Sequence, residues 1–161
     1  MNYYELFEFP ISPVVDKTGI SKKYFELQKK FHPDFYTNET EEDKENALAQ
    51  SAAINKGFTI FSNKEKTLEY FLQLKGIIIT DEKYNLPPDF LMEMMELNEG
   101  FEEEANIEAK IASYEQELLL DVDSLLNTEN PESLNESDSE KLKAYYYKKK
   151  YLKRILERLD D

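Results

Sequence analysis

The chain of 161 residues contains no cysteine and a single histidine. Without thiolates it forms no disulfide, builds no cysteine-ligated zinc site and cannot hold an iron–sulfur cluster through its own sulfurs. One imidazole leaves too few soft ligands for a transition-metal site made by this chain alone, and no cofactor is expected. No apolar run approaches the ~20 residues that a helix needs to cross a bilayer. The opening Met1-Asn2-Tyr3-Tyr4 has neither the basic n-region nor the apolar h-region of a signal peptide, and lacks the Arg/Ser character of an organellar presequence. An unprocessed cytoplasmic chain, most simply a bacterial one, is therefore expected. Bases are scarce: 20 Lys and Arg face 34 Asp and Glu, and the net charge of −14 repels phosphates and excludes a nucleic-acid partner. Period-two alternation is also missing, so no strand is expected.

What charge there is falls in blocks. From Ile20 to Phe31, Lys22, Lys23, Lys29 and Lys30 outweigh Glu26. From Glu93 to Glu104 there are six glutamates and no base, and from Glu140 to Asp161 eight bases face four acids. A basic patch, an acidic patch and a basic tail suggest separate docking surfaces, although solvated helix faces would read the same way.

Helical periodicity dominates. Asp16 is placed to cap a helix over Lys17–Phe31 with Ile20, Tyr24, Leu27 and Phe31 on one stripe, and Pro33 stops it. A second helix is expected over about Glu42–Phe61 with Leu48, Ala52, Ile54, Phe58 and Phe61 inward. Ser62-x-x-Glu65 has the form of a capping box for a shorter helix, and Gly76 is placed to end it. Residues 76–87 read as a junction whose Ile77-Ile78-Ile79 is too apolar to lie in water. Pro87 and Pro88 open a helix over about Asp89–Glu104. A further one covers Ile107–Leu126 with Ile107, Ile111, Tyr114, Leu118, Val122 and Leu125 as its stripe. After a polar loop, Ser137-x-x-Glu140 looks like the capping box of a last helix. There Leu142, Tyr145, Tyr146, Leu152, Leu156 and Leu159 share a broad face, with Tyr147, Tyr151 and Ile155 roughly opposite. Residues 1–75, 76–87 and 88–161 are thus expected as domain, junction and antiparallel three-helix bundle.

The residues most informative about chemistry are His32-Pro33-Asp34, between the basic helix and a polar loop. No Ser, Thr or Cys nucleophile stands beside them in sequence, so a catalytic use is poorly supported and the chain is not read as an enzyme. A lone histidine at a helix end ordinarily serves the helix's own orphan carbonyls. The tripeptide has company, however. Tyr3-Tyr4-Glu5-Leu6-Phe7, the basic helix from Ile20 to Phe31, His32-Pro33-Asp34 and Ile54-Asn55-Lys56-Gly57-Phe58 occur in the order and spacing of a J domain, which this half resembles. Ser51-Ala52-Ala53-Ile54-Asn55, Glu69-Tyr70-Phe71-Leu72 and Leu74-Lys75-Gly76 narrow the resemblance to HscB-type iron–sulfur co-chaperones. Phe90-Leu91-Met92-Glu93, with Met95-Glu96-Leu97 and Glu99, resembles the signature of their C-terminal domain. Only helical pattern matches from about Glu104 to Asp138. Phe35 stands where J domains commonly carry a base, and Gly57 where they carry alanine.

The resemblance implies an all-α, L-shaped protein: an N-terminal J domain (a helical hairpin with flanking short helices) and a C-terminal three-helix bundle. It implies that His32, Pro33, Asp34, Tyr24, Lys22, Lys23, Lys29 and Lys30 contact a DnaK-like (HscA-type) ATPase chaperone. It implies further that Leu91, Met92, Met95, Glu96, Glu99, Glu103 and Tyr147, with Tyr146 as a competing alignment for the last, hold an IscU-type scaffold. The helical wheel independently puts Phe90, Met94, Leu97 and Phe101 on one stripe, with Leu91, Met95, Met92, Glu96, Glu99 and Glu103 on the adjoining and opposite faces. Joining both partners would promote iron–sulfur cluster assembly and transfer. A J-domain protein for another client and a helical adaptor that stimulates no chaperone are the alternatives; a hydrolase built on His32 and Asp34 is the least supported.

Overall fold

The structure is a computed structural model that describes residues 1–99 and 103–159. It is all helical, and the chain divides into two compact units, Met1–Phe71 and Leu72–Asp161. Among the described residues no helix is long and apolar enough to cross a membrane.

The first unit holds α1 (Tyr3–Phe7), α2 (Lys17–Phe31), a 3-10 turn (Pro33–Tyr36), α3 (Glu41–Phe61) and most of α4 (Lys64–Leu74). Asp16 caps α2 as expected, its carboxylate accepting the Thr18 amide at 3.0 Å and the Thr18 hydroxyl at 2.9 Å. Those bonds hold the Asp16 carboxyl below its ordinary range. Helices α2 and α3 pair antiparallel. Tyr24 donates to Asn55 at 2.8 Å, Gln28 donates to Asn55 at 3.0 Å, and the Ser51 hydroxyl donates to Gln28 at 3.0 Å. Tyr4, Phe7, Ile20, Leu27, Ile54 and Phe61 form the core over which α1 lies.

The inward face of α3 agrees with the expected one at Ile54, Phe58 and Phe61 and differs at the other two positions. Ala47, Ser51, Ile54, Gly57 and Phe61 are buried, whereas Leu48 is 61% exposed and Ala52 is exposed. Three of the five buried residues are small. Gly57 shows why: a Cβ there would lie 2.6 Å from Cε1 of the Phe7 ring. The missing side chain is what lets that ring lie against α3. The start of α4 is also set differently. Asn63, not Ser62, caps it, accepting the Lys66 amide at 2.9 Å.

Gly76 ends α4 with φ of +71°. The Gly76 amide reaches the Gln73 carbonyl at 3.0 Å and the Ile77 amide the Leu72 carbonyl at 2.8 Å, the paired bonds of a Schellman motif. In the segment that follows only Ile78 is fully buried, and Ile79 is 68% exposed.

The second unit contains α5 (Pro88–Glu99), α6 (Glu104–Leu126) and α7 (Glu136–Leu159). Phe90, Met94 and Leu97 of α5 meet Ile107 and Ile111 of α6 and Leu152 and Ile155 of α7 in one core. The expected stripe of α5 is thus confirmed as far as Leu97; Phe101 lies outside the described residues. Val122 and Leu126 are buried on α6, whereas Leu125 is only half-buried. On α7, Ile155 joins Leu142, Tyr145 and Leu152 in burial rather than facing away from them. The cap of α7 is reciprocal: the Asn135 side chain accepts the Asp138 amide at 2.8 Å and the Asp138 carboxylate accepts the Asn135 amide at 3.1 Å. Ser137 and Glu140, expected in that role, lie inside the helix already.

Candidate functional site

Two surfaces stand out, one in each unit. The first is the end of α2 and the turn after it. Pro33 forces the chain out of the helix, and His32 adopts extended backbone (φ −62°, ψ 132°). Its Nδ1 accepts the Asp34 amide at 3.2 Å, so His32 caps the 3-10 turn that follows. An Nδ1 that accepts leaves the proton of the neutral ring on Nε2. The Asp34 carboxylate stands 3.6 Å from Nδ1 and is 85% exposed. Tyr36 donates to the Lys30 carbonyl at 2.8 Å, using one of the orphan acceptors at the end of α2 to tie the turn down. His32 and Asp34 are thus presented to solvent on a short, fastened turn. No hydroxyl or thiol nucleophile touches the pair in the bonds that define this turn.

Lys22, Lys29 and Lys30 lie exposed on α2 and lead toward this turn. Lys23 is ion-paired instead: its ammonium lies 3.1 Å from Glu8 and 3.9 Å from Glu26. Tyr24 is half-buried, its ring 4.4 Å from that of Phe58 and its hydroxyl bonded to Asn55. It therefore fastens α2 to α3. Phe25 and Phe35 are 61% and 64% exposed on this side of the molecule; of the two, the sequence singled out only Phe35, as a departure from the J-domain pattern.

The second surface is the outward face of α5. With Phe90, Met94 and Leu97 committed to the core, Met92 (63%) and Met95 (52%) are left exposed, Leu91 is half-buried, and Glu93, Glu96 and Glu99 are exposed around them. An adaptable apolar patch ringed by carboxylates suits a protein partner. Glu103 does not belong to this face. Its backbone is extended (φ −66°, ψ 147°) and it stands before α6 instead of continuing α5.

Tyr147 is also placed differently from a simple exposed aromatic. It is half-buried, stacked on Tyr84 at 4.4 Å and 11°, and donates to Glu82 at 2.9 Å. Lys143 meets the other Glu82 oxygen at 2.6 Å. Lys143, then Tyr147, hold the Glu82 carboxyl below its ordinary range, and Glu82 in turn raises the Lys143 ammonium. Desolvation, then Glu82, pushes the Tyr147 hydroxyl up. The three side chains clamp the segment before α5 onto α7. Tyr146 packs edge-on against Tyr147.

The chain as a whole finds counterparts among known proteins. Residues 86–160 match the family model of the HSCB C-terminal oligomerisation domain. A co-chaperone protein HscB homolog from Shewanella baltica is 33% identical over 143 residues, covering 82% of this chain and 82% of that relative. The chain belongs to the HscB co-chaperone family. A second HscB homolog, from Vibrio cholerae serotype O1, is 41% identical over 103 residues, and the match spans 63% of this chain and 60% of the relative's length. Among solved HscB structures, human co-chaperone HscB superposes with a TM-score of 0.78 at 27% identity, covering 99% of this chain and 81% of that one. Chaperone HscB from Vibrio cholerae superposes with a TM-score of 0.66, also at 27% identity, over 99% of this chain and 96% of that one. These HscB proteins are described as chaperones or co-chaperones.

Proposed function

We propose that this HscB-family chain is a cytoplasmic bacterial co-chaperone. It binds an IscU-type iron–sulfur scaffold and stimulates ATP hydrolysis by a DnaK-like (HscA-type) chaperone, promoting cluster assembly and transfer, and itself catalyses nothing. The observation that carries the reading is the exposed His32-Pro33-Asp34 turn at the end of the basic helix α2. Lys22, Lys29 and Lys30 steer that turn toward acidic chaperone surface, a contribution that weakens with salt. Lys23 and Tyr24 act mainly by holding α2 in place. Residues 1–75 then act as the J domain, 76–87 as junction and 88–161 as the scaffold-binding domain. Leu91, Met92, Met95, Glu96 and Glu99 make the contact with the scaffold, while Tyr147 positions the segment leading into α5. Glu103, on separate backbone, lies at the margin. Carrying both partners on one chain raises the effective concentration of client at the chaperone.

Titration of scaffold against wild type, Met92→Asp and Met95→Asp tests the second surface. Both changes put a charge on an exposed side chain, so folding is preserved and scaffold affinity falls about tenfold or more. Unchanged affinity would reject this face as the scaffold site. A J-domain protein for a different client would stimulate the chaperone yet leave the scaffold unbound.

A further inference from the structure

The described phenylalanines of this chain are buried or half-buried with two exceptions, Phe25 and Phe35. On α2, at ~100° per residue, Phe25 lies on the same face as Lys22, Lys29 and His32. Phe35 sits one residue beyond Asp34, its ring 6.1 Å from that of His32 and edge-on to it. Leu48 of α3, also exposed, lies at this same end of the hairpin, because Gln28 meets Ser51 in the antiparallel register. Exposed large apolar side chains thus stand on the basic face, beside the His-Pro-Asp turn and at the same end of the hairpin. Lys23, roughly 160° away from Phe25 around the helix, lies off this face and is engaged by Glu8 and Glu26.

We propose that Phe25 and Phe35 are apolar anchors of the chaperone-docking face, and that the partner offers an apolar recess rimmed by carboxylates. The proposal rests on the chaperone reading above and adds to it the chemistry of the contact. Charge governs the approach: exposed lysines and a carboxylate rim attract at long range and are screened by salt. Buried aromatic anchors govern residence, since truncating a desolvated aromatic at an interface ordinarily costs far more than removing a rim charge. Docking by this chain therefore retains much of its strength as salt is raised, in contrast to a face that relies on lysines alone.

The test is single-turnover ATP hydrolysis by the HscA-type chaperone, titrated with full-length wild type, Phe25→Ala, Phe35→Ala, Lys29→Ala, Leu120→Ala and His32→Gln, at low and at moderate salt. Circular dichroism confirms that each variant is folded. Each Phe→Ala change is expected to raise the half-maximal concentration about tenfold at both salt concentrations, leaving maximal stimulation unchanged. Lys29→Ala is expected to act chiefly at low salt. Leu120→Ala, a comparably exposed side chain on α6, is expected to match wild type. If both Phe variants titrate like wild type while His32→Gln abolishes stimulation, the anchors are refuted and the chaperone reading stands. If wild type stimulates no more than His32→Gln, the chaperone reading fails and the anchors fail with it.

Discussion

Replacing Gly57 by alanine should destabilise the first unit, although alanine is the better helix former. On propensity alone the change gains ~1 kcal/mol in a helix interior. Against this, the new Cβ would stand 2.6 Å from Cε1 of Phe7 and 3.3 Å from Cδ1 and Cζ. Ordinary carbon–carbon contacts are about 3.5–4.0 Å, so the ring must retreat by about 1 Å. It has nowhere to go: Phe7 is fully buried, with the rings of Phe9 and Phe61 at 5.7 Å and 5.3 Å. Overpacking of this kind costs ~1–3 kcal/mol, and contact on a wedged ring belongs in the upper half of that range. The net loss is therefore about 1–2 kcal/mol. Urea unfolding followed by circular dichroism measures it, in a cycle with Phe7→Leu. Phe7→Leu is itself destabilising, but it makes room, so in that background Gly57→Ala should stabilise by up to ~1 kcal/mol. The inversion of sign is the signature. Gly57→Ala as stable as wild type, or of the same sign in both backgrounds, would refute the claim that the Phe7 ring dictates glycine here.

The cap of α7 offers a comparison between neighbours. Asn135→Ala should cost ~1 kcal/mol in urea unfolding of the second unit, because it removes the acceptor of the Asp138 amide, whereas Ser137→Ala should change little. Equal effects would reject the assigned cap. The clamp on Glu82 predicts a pH dependence. A carboxyl held below its ordinary range contributes stability while ionised, at and above that range, and loses it as pH falls through its folded value. Wild type should accordingly exceed Glu82→Gln in thermal stability at neutral pH, with the gap closing in acid; a gap that widened in acid would invert the assigned cause. The Tyr147 hydroxyl, raised by burial first and then by Glu82, should ionise only above the ordinary tyrosine range in an ultraviolet titration, and Glu82→Gln should lower it part of the way.

The comparison of sequence with structure is instructive at α3. Helix α2 was legible because its signals are local: an aspartate before the first turn, an apolar stripe and a proline beyond the end. The face of α3 was legible only in its large residues: Ile54 and Phe61 are buried and Phe58 packs against the core, but hydrophobic periodicity misses the small buried residues Ala47, Ser51 and Gly57. The stripe through Leu48 and Ala52 matched the helical period but was rotated from the true one. Both expected Ser-x-x-Glu capping boxes failed for one reason: an asparagine one or two residues away competes for the same role. On α5 the apolar stripe was sufficient to divide the core residues from the exposed methionines. Glu103, expected within the helix that began near Asp89, instead has extended backbone and stands before α6. The Glu82–Lys143–Tyr147 clamp had no local signal, since its members lie 61 and 65 residues apart and meet only in the folded unit. The same holds for the exposed ring of Phe25, which becomes distinctive once the remaining described phenylalanines other than Phe35 are seen to be covered.

The most direct test of the central claim is ATP hydrolysis by the HscA-type chaperone under single-turnover conditions, with this protein and the IscU-type scaffold added separately and together, and with His32→Gln in place of wild type. Because the His32 ring is exposed and bonds only within its own turn, the variant stays folded and its scaffold binding, measured in parallel, should not change. Wild type should accelerate hydrolysis, scaffold should add to that acceleration, and His32→Gln should lose it while still binding scaffold. Hydrolysis left at its basal rate by wild type, or accelerated equally by His32→Gln, would contradict the account.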